Sequence, residues 1–378
     1  NWSIERMTRV TFESATLQDM ISKAARVAPI KGAAFDKASG IILDIDTANQ
    51  EVIVKATNIE IFYLEITNPI EVLGESVRWR IPSVILDAIT SKLSIGSGKQ
   101  VTLSNEENPS LLNIESGRMK AKVRIMSDEY YPHWNVFSPD DLSLVSEFAT
   151  RIKQVQWAAA RTGEPPLIGI HLDGEVVIAT DRFRISMAPC KIPDLVDNPV
   201  TIPGSIFAPL MKTLGDVRLG RTENQLLIMP DDATQIRAAI FGDEYPEIKR
   251  IFKRDETSNF QFNKESLIEI IDRVMVMSKN DRNTNLSMII GREEVAVMMG
   301  DSDGSLLGDV VEIPGHATHK RVTFKFQPQN ILDAIQACPS DKVSMYYYEA
   351  EPKKPIRLDG GMGYEALVMP LSTVQKEE

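Results

Sequence analysis

The sequence predicts an α+β fold made of three copies of one unit, each with two helices and about eight strands. Segment 82–89, PSVILDAI, returns as PQNILDAI at 328–335, and a weaker copy, PGSIFAPL, stands between them at 203–210. The offsets from the first copy are 246 and 121 residues. DEYYP ends at Pro132 and DEYP ends at Pro246, 114 residues apart. A period near one third of 378 residues is typical of a repeat architecture.

The repeats also set the predicted domain boundaries. YEALVMP at 364–370 takes the same place in the third unit as DEYYP at 128–132 and DEYP at 243–246 take in the first two. Each of these segments ends in proline, and each is predicted to end its unit. Boundaries near Pro139 and Asp255 give domains at 7–138, 139–255 and 256–378. The six residues before Met7 are either an added segment or a natural extension, and they are left out of the fold prediction.

Each unit is predicted to begin with a short apolar strand, at 10–13, 142–145 and 259–262. A helix follows, because apolar residues recur at helical spacing. The stripes are Leu17, Met20, Ile21, Ala24 and Ala28, then Phe148, Ile152, Val155 and Ala159, then Leu267, Ile270, Ile271, Val274 and Met277. Strands rich in β-branched residues come next, for example at 40–46, 51–56, 175–179 and 294–299. The proline-led segments begin the second helix, with proline in its first turn, and strands such as 100–104, 119–125 and 225–229 complete the unit.

Composition excludes several classes of protein. The 42 Lys and Arg against 53 Asp and Glu give a net charge of −11, which argues against an outer surface that binds nucleic acid by bulk charge. No apolar run approaches the roughly 18 residues of a membrane span. No charged-then-apolar signal segment is present, so we expect a cytoplasmic protein rather than an exported one. Two cysteines exclude a disulfide framework and an all-cysteine metal site.

Basic residues recur on or next to the predicted helices. If only the helical pattern is considered, these residues are equally well explained as part of the solvated faces of amphipathic helices. If the three repeats align their helices, the same residues form one basic surface suited to sequence-independent contact with a duplex backbone. The residues predicted to face DNA are Lys23, Arg26, Lys31, Lys92, Arg151, Lys153, Arg161, Lys212, Arg273 and Lys279.

One acidic segment has the spacing of a calcium-binding loop. Asp301, Asp303 and Glu312 match that loop, but Leu306 stands where its sharp turn requires glycine. The flanking segments are predicted strands, so a hairpin loop is the favoured interpretation.

Other candidate sites are equally weak. Asp44 and Asp46 could form a two-metal carboxylate pair, but they lie in an alternating strand where solvent-facing acids are usual. The histidines are scattered, so we expect no zinc site; they are His133, His171, His316 and His319. No phosphate-binding loop and no nucleophile motif is present, so no cofactor and no catalytic residue is predicted.

Three further segments resemble a known family. TDRFRI at 180–185, DEYPEIKRI at 243–251 and LVMPL at 367–371 are similar to T-D-G-H-R-L, F-P-D-Y-R-R-V and V-V-M-P-M of the bacterial DNA polymerase III beta subunit, the replication sliding clamp. Together with the threefold repeat, the resemblance covers essentially residues 7–373. The similarity is distant, as for a phage-encoded or otherwise divergent clamp.

The resemblance implies a function. Family members are non-enzymatic head-to-tail homodimers whose six domains close a ring, with helices lining the hole and sheets outside. The ring encircles duplex DNA without reading its sequence, and short peptides from the polymerase and the clamp loader bind a cleft between the second and third domains. An acidic total charge is compatible with this role, because closure of the ring rather than charge would hold the DNA. We would then expect the protein in the bacterial cytoplasm or nucleoid, without a membrane or cofactor.

The family's site residues carry over position by position. The cleft wall would include Ile168, Thr180, Asp181, Arg182, Arg184, Ile185, Pro246, Arg250, Ile251, Gln327, Asn330, Leu367, Met369, Pro370 and Leu371. The ring interface would include Ala121, Val123, Val276 and Met277. The chain departs from the family pattern with Arg182-Phe183 for Gly-His, with Asn330 for an aromatic, and with a terminus that runs on past Thr373. The preferred partner peptide is therefore expected to differ from the family's usual one.

Two other classes of function remain open on the sequence. A threefold-repeat scaffold protein without a DNA function would show the same periodicity. A metal-dependent nuclease would use Asp44 and Asp46. A hole lined by the basic helices distinguishes the clamp from both.

Overall fold

The computed structural model describes residues 7–28, 37–106, 108–134, 136, 142–213, 215–252, 255–279, 285–300, 304–313 and 321–371, with the backbone alone at 278 and 279. The chain divides into two compact units, one of residues 1–149 with 205–240 and the other of 150–204 with 241–378. The middle predicted domain therefore contributes residues to both units. The boundaries at 139 and 255 stay a prediction.

The first predicted domain contains two helices and nine strands among its described residues. The helices are α1 (Ser14–Ala25) and α2 (Ser83–Thr90). The strands are β1 (Thr8–Glu13), β2 (Ile41–Asp46), β3 (Glu51–Thr57), β4 (Ile61–Thr67), β5 (Glu71–Gly74), β6 (Val77–Ile81), β7 (Gln100–Ser104), β8 (Leu111–Ser116) and β9 (Met119–Arg124).

The second predicted domain contains two α-helices and eight strands among its described residues. The helices are α3 (Phe148–Val155) and α4 (Phe207–Leu210). The strands are β10 (Ser143–Val145), β11 (Gly169–Leu172), β12 (Val176–Thr180), β13 (Arg184–Pro189), β14 (Val200–Pro203), β15 (Val217–Arg221), β16 (Gln225–Met229) and β17 (Thr234–Ala239). Here α4 is a single turn after a 3₁₀ turn at Gly204–Ile206, because Pro209 has no N–H to continue an α-helical ladder.

Among its described residues the third predicted domain repeats the pattern with two α-helices and eight strands. The helices are α5 (Lys264–Val274) and α6 (Pro328–Gln336). The strands are β18 (Ser258–Asn263), β19 (Leu286–Ile290), β20 (Glu294–Gly300), β21 (Leu306–Glu312), β22 (Val322–Phe326), β23 (Lys342–Tyr347), β24 (Ile356–Gly361) and β25 (Tyr364–Val368).

The strands form four sheets, and two of these sheets join neighbouring repeats. The orders are β5-β1-β7-β8-β9, β10-β15-β16-β17-β4-β3-β2-β6, β14-β11-β12-β13-β25-β24-β23-β18 and β21-β20-β19-β22. The joining pairs are antiparallel: β17 of the second repeat pairs with β4 of the first, and β25 of the third pairs with β13 of the second. The last strand of one repeat thus completes the sheet of the repeat before it.

The helices cover the sheets with the apolar stripes that the sequence predicts. In one unit α1 packs against α2 and lies on β2, β3 and β4; in the other α5 packs against α6 and lies on β20 and β21. The predicted stripe of α5 is buried, and Asn263 caps this helix by accepting from the Ser266 N–H at 3.0 Å. In each repeat the last predicted stripe residue lies just past the α-helix; these residues are Ala28, Ala159 and Met277.

Candidate functional site

A tight turn joins β12 to β13 at residues 180–184. The Thr180 hydroxyl donates to the Arg184 carbonyl oxygen at 2.8 Å and accepts from the Arg182 N–H at 3.1 Å. The Asp181 carboxylate accepts from the N–H groups of Phe183 and Arg184 at 2.9 and 3.0 Å. Such local side-chain bonds are what threonine and aspartate contribute to turns. The turn holds Phe183 outward, with 67% of its surface exposed.

An apolar segment runs from β25 past the end of the strand, beside this turn. Leu367 lies in β25, whereas Met369 and Leu371 follow the strand's last residue, Val368. Leu367 is 2% exposed, whereas Met369 is 36% and Leu371 is 37% exposed. The Met369 N–H donates to the Phe183 carbonyl oxygen at 2.8 Å, which sets those two residues opposite each other. Phe183, Met369 and Leu371 are called the exposed stripe below.

The buried end of this segment belongs to an apolar cluster. Leu367 and its cross-strand partner Ile185 pack with Ile178 under Ile248 and Phe252. The last two come from segment 243–252, which crosses this sheet as a strap. Ile185 and Leu367 therefore form a covered floor, while the exposed stripe is accessible to a partner.

Side-chain contacts of Tyr245 and Lys249 hold the strap to the sheet. Tyr245 stacks on His171 with ring centroids 4.5 Å apart and an interplanar angle of 5°. The Lys249 ammonium lies 2.5 Å from the Asp173 carboxylate and 3.3 Å from that of Glu175. Burial lowers the pKa of His171, so the ring is neutral at physiological pH.

Arg184 connects the turn to helix α6 from a buried position. Its Nε donates to Asp181 at 2.9 Å, and its Nη1 donates to the Asn330 amide oxygen at 3.0 Å and lies 3.4 Å from the Asp333 carboxylate. The guanidinium also lies over the ring of Trp157, 5.5 Å from its centroid. Asn330 thus binds Arg184 at the position where the sequence departs from the family's aromatic residue.

The predicted cleft residues separate into three groups in the structure. The buried group is Thr180, Arg184, Ile185, Leu367 and Pro370, and the exposed group is Arg182, Pro246, Arg250, Ile251, Gln327, Met369 and Leu371. Asp181, Asn330 and Ile168 are half-buried. Ile168 accepts from the Gly204 N–H at 2.9 Å, beside β14. Phe183 is absent from the predicted set of cleft residues. The motif TDRFRI at 180–185 is the sequence signal that could have indicated it. That these residues contact a peptide stays a prediction.

Several of the predicted DNA-facing cations are paired with the chain's own acids. Lys23 lies 2.7 Å from Asp19, and Lys212 lies 3.0 Å from the same carboxylate. Arg273 pairs with Asp309.

The other DNA-facing predictions differ in their surroundings. Arg151 donates to the Gln154 amide oxygen at 3.0 Å, and Lys153 also has a partner. Within the described ranges Arg26, Lys92 and Arg161 make no ion pair. Lys31 and the Lys279 side chain lie outside the described residues.

An apolar cavity of about 470 Å³ opens beside β9. It is lined by Val84, Ile85, Ala88, Ile89, Lys92, Met119 and Ala121. Of the predicted interface residues, Ala121 lines it, Val123 is buried, and Val276 in the other unit is exposed. Met277 is half-buried. The sequence prediction missed Val84 and Ile85, although helix 83–90 is apolar on more than one face and only one can face the core.

The weaker candidate sites have structural explanations where they are described. Asp44 binds Arg78 at 2.5 Å and Lys55 at 2.7 Å; burial opposes the effect, but these partners lower its pKa. Asp46 accepts from the N–H groups of Ala48 and Asn49 in its own turn. Among the described residues no group of three or more potential ligands could hold a metal ion.

Residues 301–303 of the acidic segment lie outside the described residues, as do His316 and His319. The segments on either side of 301–303 are the antiparallel strands β20 and β21, as the hairpin interpretation requires. In the described part of the chain no helix is long and apolar enough to cross a membrane.

Comparison with known proteins finds distant relatives of this chain. No protein-family model matches the sequence. The beta sliding clamp of Bacillus subtilis is 22% identical over 282 residues, which cover 71% of this chain and 74% of that protein. The sequence is thus similar, at low identity, to proteins named beta sliding clamp.

Solved structures of beta sliding clamps share the fold. The DNA polymerase III beta subunit of Thermotoga maritima superposes with a TM-score of 0.79 at 18% identity, over 97% of this chain and all of that one. A sliding clamp from Pseudomonas aeruginosa, solved bound to griselimycin, gives 0.75 at 13% identity over 97% and 99% of the two chains. The α+β fold of the clamps is thereby confirmed.

Proposed function

We propose that this protein is a DNA sliding clamp, a non-catalytic accessory of a DNA polymerase that encircles duplex DNA. The observation that carries the proposal is the extent of the likeness: both the sequence relatives and the fold span most of the chain and most of each clamp. The expected location is the bacterial cytoplasm or nucleoid, where DNA is replicated.

The pattern of sheets supports a ring of two chains. The last strand of each later repeat completes the sheet of the repeat before it, as β17 does with β4 and β25 with β13. By the same rule β9 would pair with β21 of a second copy, since among the described strands β9 pairs only with β8 and β21 only with β20. Such a head-to-tail contact generates a ring when its rotation closes.

The side chains at these two edges carry opposite charges. The outward positions of β9 include Lys120, Lys122 and Arg124, whereas β21 includes Asp309 and Glu312. The apolar cavity beside β9 would receive apolar side chains such as the exposed Val276 of the other copy. Buried apolar contact supplies the affinity, and opposite charges set the register.

The exposed stripe is the proposed attachment point for the polymerase and the clamp loader. Phe183, Met369 and Leu371 offer a narrow apolar surface that suits a short linear peptide. Arg182 and Arg250 are exposed nearby on the turn and the strap. A peptide that combines an apolar anchor with an acidic residue fits this composition.

Solution mass tests the dimer. Light scattering at micromolar concentration should give twice the chain mass of 42.2 kDa. Ile85→Asp places a charge in the apolar cavity and should give monomers. Ile70→Asp, at a residue equally exposed but outside the cavity, should remain a dimer. A monomeric wild-type protein would contradict the ring.

A further inference from the structure

One carboxylate in the structure binds two of the predicted DNA-facing lysines. Asp19 lies on α1, where its Oδ2 is 2.7 Å from Lys23 Nζ one turn further along the helix. Its Oδ1 is 3.0 Å from Nζ of Lys212, which follows α4 in the next repeat. Burial opposes the effect, but the two lysines lower the pKa of Asp19, so it is ionised at neutral pH. Each oxygen of the Asp19 carboxylate thus has one ammonium partner. Two oxygens of a DNA phosphate could bind the same two ammonium groups in this way.

The two lysines are not held equally. Lys23 has a second acidic partner, Glu65, at 3.2 Å, and Glu65 in turn accepts from the hydroxyl of the buried Tyr63. Within the described part of the chain, Lys212 is paired with Asp19 alone. Removing the Asp19 charge would therefore free Lys212 completely and Lys23 only in part.

Both ammonium groups have room to move. A cavity of about 190 Å³ lies between α1, α4 and the paired strands β4 and β17. Lys23 and Lys212 line it together with Tyr63, Asp231 and Thr234. The Lys212 side chain is 49% exposed. A rotation about its side-chain bonds can take the ammonium from Asp19 to a group outside, without any change in the core.

We propose that Asp19 competes with DNA phosphates for Lys23 and Lys212, and so limits how tightly the protein holds duplex DNA. The proposal rests on the sliding-clamp function. When a phosphate approaches, a lysine exchanges one anion for another, so the net gain in free energy is small. A protein that slides benefits from this exchange, since strong phosphate contacts would slow each step along the DNA.

Removal of the Asp19 charge tests the proposal. Asp19→Asn keeps the size of the side chain and removes its negative charge. Binding to a fluorescent 30-base-pair duplex is measured by anisotropy over a series of salt concentrations. Each lysine that gains a phosphate contact should steepen the slope of log K against log salt by about 0.9. For Asp19→Asn we expect the slope of log K against log salt to be steeper by about 0.9 to 1.8 per chain, and the affinity to be several-fold higher at about 50 mM salt.

Two controls separate this effect from bulk charge and from misfolding. Asp272→Asn on α5 also removes one exposed negative charge, but the described structure shows no lysine bound to Asp272, so it should leave the slope unchanged. Adding Lys212→Gln to Asp19→Asn should remove most of the gain, and adding Lys23→Gln should remove less. Thermal unfolding should differ little, because an exposed ion pair contributes about 1 kcal/mol or less.

The outcomes distinguish this inference from the function on which it rests. If the wild-type protein binds duplex DNA and Asp19→Asn has the same slope, the competitor role of Asp19 is wrong and the clamp function stands. An equal gain in Asp272→Asn would also overturn it, since bulk charge would then explain the effect. If neither the wild type nor Asp19→Asn binds duplex DNA at any salt concentration, the competitor role of Asp19 fails, whereas the clamp function is decided separately by retention on end-blocked DNA, because a closed ring does not need to bind a short duplex by charge.

Discussion

Two turns of the molecule, one in each compact unit, have the same backbone and different side chains. Between β3 and β4 the Thr57 hydroxyl donates to the Ile61 carbonyl oxygen at 2.7 Å, as that of Thr180 does to the Arg184 carbonyl oxygen at 2.8 Å. Asn58 accepts from two following N–H groups in the first turn, as Asp181 does in the second. The middle residue of each turn has φ of 79°.

The two turns differ in what they expose. In each case one N–H at the end of the next repeat's last strand donates to the turn at 2.8 Å, from Ala239 in β17 to Glu60 and from Met369, the residue after β25, to Phe183. In the first turn an acid, Glu60, therefore lies opposite Ala239. In the second turn an aromatic residue, Phe183, lies opposite Met369. The backbone is common to the repeat, so the side chains alone create an apolar stripe at one place and not at the other.

The largest expected effect comes from giving the second turn the side chains of the first. Phe183→Glu with Met369→Ala removes the apolar anchors of the exposed stripe, and interface anchors of this type dominate binding energy. We expect stimulation of primer extension by a clamp-dependent polymerase to fall about tenfold or more. The matched control is Ile59→Ala, which truncates an exposed side chain of the first turn and should leave stimulation unchanged. Equal loss in both variants would contradict the assignment of the partner site to the second turn.

A smaller effect is expected from the buried residue that ends each turn. Arg184→Ile copies Ile61 of the first turn and leaves Asp181 and Asp333 without their guanidinium partner. Losing one member of a largely buried ion pair should lower the free energy of unfolding by about 3 kcal/mol. Urea denaturation measures this change. Ile61→Val, by contrast, should cost about 1 kcal/mol. An unchanged midpoint for Arg184→Ile would show that the contact with α6 does not stabilise the fold.

The smallest expected effect is a dependence of stability on pH, caused by His171 in the compact unit that contains the second turn. Burial lowers the pKa of His171 below its usual 6.5, so the unfolded chain binds a proton more readily than the folded one. Stability is then complete above pH 6.5 and falls as the pH drops below it. The melting temperature should decrease slightly between pH 7.5 and 5.5, and less in His171→Phe, which can still stack on Tyr245. An equal decrease in both proteins would place the titrating group elsewhere.

The sequence predicted local structure well, because each repeat contains its own periodic signal. Leu267, Ile270, Ile271 and Val274 are all buried along α5, as the helical spacing requires. The proline-led segment of the middle repeat predicts a second helix, and the structure shows this helix, α4, as a single turn that contains Pro209.

Long-range contacts could not be read from the sequence. The pairing of β17 with β4 and of β25 with β13 joins strands from different repeats, and the alternation of residues along a strand does not specify its neighbour. The bond between Arg184 and Asn330 spans 146 residues, so from the sequence alone Asn330 was only an unexplained departure from the family pattern. The motif TDRFRI located the turn, whereas the exposure of Phe183 became evident only from the structure.

Retention on end-blocked DNA tests the central claim most directly. The protein is mixed with a linear duplex that has biotin at both ends, streptavidin is added to block the ends, and the complex is washed at high salt. A closed ring should remain on the blocked duplex, leave when a restriction enzyme cuts it, and be lost from a duplex with open ends. Equal retention with blocked and open ends, or none on either, would contradict a protein that holds DNA by encircling it.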